Sequence, residues 1–176
     1  MDDKSYKEYL EHITTFIFDV DGVLTDGTVT VMTNGDMLRR MNIKDGYALK
    51  TAVDAGFNMC IISGGINLGV QKRLEVLGLK DIYLGAHQKI NQFQEYLKKH
   101  NIRAKNVLYM GDDIPDIPIM KLVGLAVCPQ DAAIEVKAVS HYISHKGGGQ
   151  GAVRDIIEQI MKVQGKWDGN FNANYD

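Results

Sequence analysis

The sequence predicts an α/β fold with a doubly wound parallel sheet, and three observations lead to this class. Short apolar runs rich in β-branched residues recur along the chain, and most are closed by Gly, Asp or Ser. Segments whose apolar residues have helical spacing separate these runs. The runs are apolar throughout, which is typical of strands buried on both faces of a parallel sheet. Strands that alternate with helices in this way form right-handed βαβ units.

The elements follow one another in a regular order, within a single domain that spans 1–176. A short helix at 5–12 precedes the first strand at 16–18. Further strands are predicted at 57–62, 81–84, 107–110, 125–128 and 142–144. Helices are predicted at 47–55, 68–77, 88–100, 118–122 and 132–138. A last, amphipathic helix is indicated by Val153, Ile156, Ile157, Ile160 and Met161. The tail at 165–176 lacks periodicity, so we expect it to be mobile.

A β-hairpin inserted after the first strand, at about 28–43, interrupts this alternation. Two β-prone runs flank Asn34-Gly35, which is the strongest short hairpin signal in a sequence. The apolar side chains of the hairpin are Val29, Val31, Met37 and Met41. They are too apolar for a solvated ribbon, so we expect partner subunits to cover them. The alternative is a hairpin folded back on its own domain. The insertion leaves no room for a cap domain.

Composition limits the classes of partner and the compartment. A net charge of −2 over 176 residues gives no reason to expect nucleic acid or a membrane as partner. Cys60 and Cys128 lie in apolar runs, and we expect free thiols, as in a reducing cytoplasm. The first twelve residues contain no apolar signal-peptide core, and no run of about eighteen apolar residues could span a membrane. We therefore expect a soluble, cytoplasmic protein.

Polar side chains follow several of the predicted strands. Asp19 and Asp21 come directly after the first strand, and Ser63 follows the second. Lys89 lies just beyond the short third strand, and the pair Asp112-Asp113 follows the fourth. Any one of them could be an ordinary turn residue. The carboxyl ends of parallel strands meet at one edge of the sheet, however, so we expect the whole set to converge there.

The acidic members of this set predict a metal ion. The carboxylates are those of Asp19, Asp21, Asp112, Asp113 and Asp116. Their mutual repulsion near the ends of buried strands would protonate some of them or push the site apart, unless a cation lies between them. The cluster offers oxygen ligands and neither Cys nor His. This favours a hard divalent ion, Mg²⁺ above all, over zinc.

The remaining members of the set predict phosphoryl transfer. The Ser63 hydroxyl, the N–H groups that follow it and the Lys89 ammonium would form a phosphate cradle. Asp19 could attack phosphorus and form an aspartyl-phosphate. Asp21 could protonate the leaving oxygen and later activate water. Mg²⁺ and Lys89 would lessen the repulsion between the anionic nucleophile and the anionic phosphate.

These residues resemble the four motifs of the haloacid dehalogenase-like phosphatases, in order. The motifs are Asp19-Val20-Asp21-Gly22-Val23-Leu24-Thr25-Asp26-Gly27, Ser63, Lys89 and Gly111-Asp112-Asp113-Ile114-Pro115-Asp116. The resemblance covers 15–164. Within the superfamily the chain is similar to the small capless branch of 3-deoxy-D-manno-octulosonate 8-phosphate (Kdo-8-phosphate) phosphatases, because of the hairpin and the segments 42–46 and 145–154.

The resemblance implies a role for each motif residue. Asp19 is implied as nucleophile and Mg²⁺ ligand, and Asp21 as acid/base and as a ligand through its carbonyl. Asp112 is implied as the third protein ligand. Ser63 and Lys89 would hold the phosphate. Asp113 and Asp116 would support the metal ligands.

The resemblance also implies a substrate and an assembly. The substrate is a small acidic sugar phosphate, with Kdo-8-phosphate, in lipopolysaccharide precursor synthesis, as first choice and a nine-carbon keto-sugar-acid phosphate as the alternative. The implied assembly is a homotetramer in which hairpins meet centrally and a neighbouring chain completes each active site. The implied substrate contacts are Asp21, Asn42, Ile43, Lys44, Asp45, Gly46, Lys50, Gly65, Arg73 and Lys89.

One position departs from the family pattern. The family has Ser-Gly-Arg after the motif serine, and this chain has Ser63-Gly64-Gly65. The missing arginine would help to bind an anionic substrate. We expect Lys72 or Arg73 to compensate, although an exposed helix face is the simpler role for Lys72. The phosphatase chemistry does not depend on this position, whereas the identity of the substrate does.

Two other functions are weighed against a phosphatase. A receiver domain of a response regulator also uses an acidic pair, a phosphoacceptor Asp, a Ser or Thr and a Lys. Such a domain needs its phosphoacceptor at the end of a central strand, where this chain has Ser63, and has no use for Asp112-Asp113. A catalytically silent scaffold of the same fold is disfavoured because four motif residues are intact: Asp19, Asp21, Lys89 and Asp112.

Overall fold

A six-stranded sheet, with all strands parallel, forms the centre of the computed structural model, which describes residues 5–167. In spatial order its strands are β5 (Asp81–Tyr83), β4 (Asn58–Ile62), β1 (Thr15–Phe18), β6 (Val107–Met110), β7 (Leu125–Cys128) and β8 (Tyr142–Ile143). The chain runs outward from β1 to β5, then returns to β6 and runs outward to β8. The predicted doubly wound sheet is confirmed. Its switch point lies at β1, where such sheets bind ligands.

Helices cover both faces of the sheet. They are α1 (Lys7–Leu10), α2 (Ile43–Asp54), α3 (Leu68–Val76), α4 (Lys89–His100), α5 (Ile117–Met120), α6 (Ile134–Val139) and α7 (Ala152–Val163), with 3₁₀ turns at Ala104–Asn106 and Ile114–Asp116. Alternate residues of β1 point to opposite faces. Phe16 and Phe18 therefore pack in the core with α2 and α7. Ile17 packs in the other core with Phe93 and Tyr96 of α4.

The two cysteines, Cys60 and Cys128, are free and buried, as the sequence predicts. Both lie in the apolar layer that contains α4. Within residues 5–167, no helix has the length and apolar character that crossing a membrane requires.

The predicted hairpin is present, but its ladder is short. It pairs β2 (Thr30–Val31) with β3 (Met37–Leu38) in antiparallel register. Val31 is 68% exposed and Leu38 is 53% exposed, so the ribbon presents apolar side chains to its surroundings. The expectation that Met41 shares this surface is wrong, because its side chain packs against the core beside α2.

Helix α2 begins at Ile43, four residues before the predicted start. The strand predicted to continue to Ile43 ends at Leu38 instead. Asn42 explains the early start, because its side chain accepts a hydrogen bond from the Lys44 N–H at 2.8 Å. An asparagine cap of this kind satisfies an amide at the helix end that has no partner within the helix. The segment 42–46 is therefore a capped first turn and not a loop.

Only the beginning of the predicted tail lies in the described part of the chain. The Lys166 N–H donates to the Met161 carbonyl at 2.7 Å. Trp167 packs edge-on against Tyr47, with 6.1 Å between ring centroids, and the Arg154 guanidinium lies 5.6 Å from the Trp167 ring. These residues pack on α2 and α7. The rest of the predicted mobile tail, 168–176, lies outside the described residues.

Candidate active site

A cleft of about 450 Å³ opens at the carboxyl ends of β1, β4 and β6. The polar residues on its wall come from all four motifs: Asp19, Asp21, Ser63, Lys89, Asp112 and Asp113. Gly65 and His87 lie on the same wall. The topology thus brings together side chains that lie far apart along the chain.

Asp19 lies at the innermost part of this cleft. Its N–H donates to the Met110 carbonyl at 3.1 Å and so extends the pairing of β1 with β6. Its Oδ1 accepts from the Val20 N–H at 2.6 Å, and its Oδ2 accepts from Lys89 Nζ at 2.6 Å. Burial, followed by the neighbouring Asp116, raises the pKa of Asp19, while Lys89 opposes this rise. Asp19 is therefore a buried carboxyl group held in one orientation by two donors.

Lys89 joins two carboxylates at the start of α4. Its ammonium group donates to Asp19 at 2.6 Å and to Asp116 at 2.7 Å, and its side chain is 8% exposed. A cation in the first turn of a helix is unfavourable for the helix dipole. Burial also opposes its charge, but Asp19 and Asp116 outweigh burial and raise the pKa of Lys89. The two carboxylates thus compensate for placing a buried lysine in the first turn of a helix.

Asp116 organises the loop that follows β6. It is fully buried, and its Oδ1 accepts from Lys89 and from the Tyr109 hydroxyl at 2.6 Å. Its Oδ2 accepts from the N–H groups of Asp112 at 3.0 Å and Asp113 at 3.3 Å. Both oxygens are thus occupied by protein donors. Asp116 is suited to supporting the cluster, whereas Asp113 is exposed and caps the 3₁₀ turn that follows it.

Asp112 carries the one cleft carboxylate oxygen that is buried without a partner among the described residues. Its Oδ1 has no hydrogen-bond donor. Burial first, then Asp19 and Asp116, raise the pKa of Asp112 to about 7. Gly22 lies directly against it with φ at +84°, and a Cβ at this position would overlap the Asp112 carboxylate. The glycine of the first motif is required by this close approach as well as by its backbone angle.

The acidic cluster fits a hard divalent cation. One carboxylate oxygen from each of Asp19, Asp112 and Asp116 lies within 4.8 Å of the others. Each Asp116 oxygen already accepts from two donors, whereas each Asp19 oxygen accepts from one and Oδ1 of Asp112 accepts from none, so Asp19 and Asp112 are the better ligands for an ion. A buried oxygen without a donor is costly unless a cation or a water satisfies it. Such an all-oxygen set matches Mg²⁺.

Asp21 is held by an arginine that sequence reasoning missed. Arg39, which follows β3, donates from Nε to Asp21 Oδ1 at 2.7 Å and from Nη2 to Oδ2 at 3.0 Å. Lys72 and Arg73, the residues expected to compensate for Gly65, do not line the cleft. The sequence contained one signal for this contact. Gly65 replaces the arginine of the family pattern, and the hairpin insertion carries another arginine that could supply the missing positive charge.

The other implied substrate contacts lie outside this cleft. Asn42 lines a separate cleft beside Gly149, and Lys44 lines an open cleft of about 610 Å³ along α7. Ile43 is exposed, whereas Asp45 and Gly46 are buried in α2. Two others lie on helices: Lys50 is hydrogen-bonded to Asp54, and Arg73 lies beside Gly46.

Asp45 is part of the packing between two helices. It accepts from the Arg154 N–H at 2.8 Å, and burial raises its pKa to about 6. Its second oxygen is buried without a partner. Within a single chain, therefore, the site contains Asp21, Gly65 and Lys89 but not Asp45 or the rest of the segment 42–46.

The glycine-rich segment 147–151 braces the loop that carries Asp21. The Gly149 N–H donates to the Val23 carbonyl at 3.0 Å, and the Gly149 carbonyl accepts from Asn42 Nδ2 at 3.1 Å. The Gly148 N–H donates to Asp131 at 2.9 Å. The segment therefore packs on its own chain.

Comparisons with known proteins agree with this geometry. Residues 78–156 match the model of the haloacid dehalogenase-like hydrolases. A 3-deoxy-D-manno-octulosonate 8-phosphate phosphatase of Salmonella typhi is 38% identical over 158 residues, which is 90% of this chain and 84% of the relative. The chain belongs to the haloacid dehalogenase-like hydrolases. It is a phosphatase.

Solved structures resemble this phosphatase over nearly its whole length. The Yersinia pestis Kdo-8-phosphate phosphatase has a TM-score of 0.91 and 31% identity, covering 94% of this chain and 90% of its own. A Moraxella catarrhalis relative, with a TM-score of 0.90 and 31% identity over 94% of this chain and 95% of its own, is described as a complex with magnesium, phosphate and KDO. These relatives argue against the receiver-like signalling domain.

Proposed function

We propose that this phosphatase is a Mg²⁺-dependent phosphomonoesterase that acts on a small acidic sugar phosphate through an aspartyl-phosphate. The observation that carries this proposal is the pairing of buried Asp19 with Lys89 beside the unpartnered oxygen of Asp112. The pairing gives an oriented nucleophile, a cation for the phosphate and a position for a metal ion at one edge of the sheet.

The residues divide the reaction between them. Asp19 forms a bond to phosphorus while the bond from phosphorus to the sugar oxygen breaks. Asp21 gives that oxygen a proton, then takes one from the water that releases phosphate from Asp19. Lys89 and Ser63 hold the phosphate oxygens in place. Held by Asp19, Asp112 and the Asp21 carbonyl, bound Mg²⁺ would neutralise charge on the transferring group.

Kdo-8-phosphate is the substrate that we propose first. The relatives of known name support it, as does the carboxylated sugar described in the Moraxella catarrhalis complex. Gly65, in place of the family arginine, is the reason to keep a nine-carbon keto-sugar-acid phosphate as the second candidate. Both are phosphate monoesters that carry a carboxylate. Two buried free thiols agree with a cytoplasmic location.

Phosphate release from a panel of sugar phosphates and keto-acid phosphates tests the proposal. We expect wild-type protein with Mg²⁺ to give its highest kcat/KM with Kdo-8-phosphate, and chelation of the metal to stop release. Asp19→Asn should reduce release by at least about 10⁴-fold with an unchanged circular dichroism spectrum, because an amide cannot attack phosphorus. Turnover by Asp19→Asn at the wild-type rate would contradict the mechanism.

We further propose a homotetramer in which apolar hairpins meet and neighbouring chains complete each site. The exposed side chains of Val31 and Leu38 support a covered hairpin, because exposed apolar patches mark interaction sites. The segment 42–46 lies outside the cleft of its own chain, which agrees with a contribution to a neighbour's site. The assembly is therefore expected to depend on the hairpin.

Light scattering measures this dependence. Wild-type protein is expected at the mass of four chains. Val31→Lys with Leu38→Lys should give smaller species, because buried lysines without partners oppose association. Thr33→Lys, at the exposed hairpin turn, is the matched control and should stay tetrameric. A monomeric wild type would overturn this part of the proposal without affecting the chemistry.

A further inference from the structure

Gly65 leaves space at the rim of the phosphate cleft, and Arg39 occupies it. A Cβ built at residue 65 would lie 2.9 Å from Asp21 Oδ2 and 3.2 Å from Arg39 Nη2. The guanidinium of Arg39 therefore fills the volume into which a side chain at residue 65 would project. Arg39 can occupy this position because residue 65 has no side chain.

Arg39 is held firmly in this position. Its side chain is only 7% exposed, although it comes from an exposed hairpin. The Met37 carbonyl, two residues before it, accepts from Asn67 Nδ2 at 2.8 Å, which ties the end of the hairpin to the loop before α3. Arg39 Nη1 also lies 3.4 Å from that carbonyl. The hairpin thus delivers a cation to the catalytic cleft of its own chain.

The partner of Arg39 in this structure is a carboxylate. Both oxygens of Asp21 receive a donor from the guanidinium, and the Asp21 side chain is 36% exposed. A fork of two parallel N–H donors matches any carboxylate in the same way. While Arg39 donates to both Asp21 oxygens, any contact between Asp21 and the oxygen of a leaving sugar has to compete with this fork. A substrate carboxylate can take the place of Asp21 on this fork.

We propose that Arg39 is the specificity-determining residue of this phosphatase, and that it exchanges Asp21 for the carboxylate of an acidic sugar phosphate. The exchange binds the substrate and frees Asp21 to reach the leaving oxygen. A small cavity lined by Arg39, Asp21, Ser63 and Gly65 adjoins the cleft, so the fork and the phosphate cradle are neighbours. Of the Lys and Arg side chains that line the cleft and this cavity, Lys89 is assigned to the phosphate, which leaves Arg39 for a second anionic group. This inference rests on the proposed function.

Substrate selectivity tests the proposal. For Arg39→Met we expect kcat/KM with Kdo-8-phosphate to fall about 30-fold, mainly through KM, because a bidentate charged pair is lost. With glucose 6-phosphate, which has no carboxylate, kcat/KM should not fall, since the substitution removes no substrate contact there and releases Asp21 from the fork. Arg39→Lys keeps the charge without the fork and should give an intermediate loss. Arg40→Met, at the adjacent exposed arginine, is the matched control.

An exchange of positions makes the test sharper. Arg39→Met combined with Gly65→Arg should recover part of the preference for the carboxylated substrate, because the guanidinium returns from the other wall. Gly65→Arg alone should be impaired, since its side chain would crowd both Arg39 and Asp21. Melting temperatures identify any variant that fails to fold. If Arg39→Met does not fold, the kcat/KM values of Arg39→Lys with the two substrates decide whether Arg39 recognises the carboxylate.

Two outcomes overturn the proposal. If Arg39→Met and Arg39→Lys lower kcat/KM equally for both substrates, Arg39 only positions Asp21. If selectivity is unchanged, Arg39 has no part in recognition. A failure of the proposed function is recognised separately, because Asp19→Asn would then keep its phosphate release whatever happens at Arg39.

Discussion

Replacing Lys89 with methionine is expected to abolish phosphate release and to lower the free energy of unfolding by about 3 kcal/mol. The ammonium group lies between Asp19 and Asp116, and all three side chains are buried. Removing it leaves two buried carboxylates without their cation, which is more costly than losing an exposed ion pair. Release should fall by about 10³-fold or more, because the site also loses its cation for the phosphate.

Chemical denaturation and a phosphate-release assay check this expectation. Lys99→Met is the matched control in the same helix: that lysine is 57% exposed, and losing its pair with Asp81 should have little effect on stability. Adding Asp116→Asn to Lys89→Met should restore part of the stability, by removing one unpaired charge, without restoring activity. Wild-type stability of Lys89→Met would show that the cluster is not held by this lysine.

Mg²⁺ binding is expected to weaken steeply as the pH falls below about 7. In the metal-free protein the pKa of Asp112 is raised to about 7, and that of Asp19 is also raised. A carboxyl group must lose its proton to bind a metal ion, so the ion competes with protons at this site. Below this pKa, Mg²⁺ must displace one proton to bind, so its apparent affinity should fall about tenfold for each unit by which the pH is lowered.

Titration calorimetry in buffers of different ionisation enthalpy measures the protons released. We expect release of protons at pH 6 and almost none at pH 8. Asp112→Asn should bind Mg²⁺ weakly and lose the pH dependence near 7. An affinity that stays constant from pH 6 to pH 8 would contradict this account of the cluster.

The same pKa shift gives the sign of a stability change. The pKa of Asp112 is higher in the folded protein than the value of about 4 in an unfolded chain, so the folded state binds the proton more tightly. Its contribution to stability is therefore largest at low pH and is lost as the pH rises from about 4 to 7. Added Mg²⁺ should reverse this loss at pH 8 by binding only the folded state.

The strands and the motif residues were predictable because they depend on local patterns. Short apolar runs closed by turn residues, such as those in β1 and β4, are typical of strands buried in a parallel sheet. Once those strands are parallel, Asp19, Ser63 and Asp112 must converge at one edge. The start of α2 was misplaced because the cap at Asn42 competes with the β-prone residues before it. Intrinsic helix and strand propensities alone do not decide where the strand ends and the helix begins.

Periodicity, turn residues and chain order are enough to predict the sheet, the hairpin and the residues that meet at the switch point. Which charges pair with one another depends instead on how the segments pack. Arg39 reaches Asp21 because the hairpin end is tied to Asn67 and because Gly65 leaves room. Asp116 has its oxygens filled while Asp112 keeps one unpartnered. Such pairings depend on distances of a few ångströms between segments remote in the chain, and these distances are set by how the segments pack.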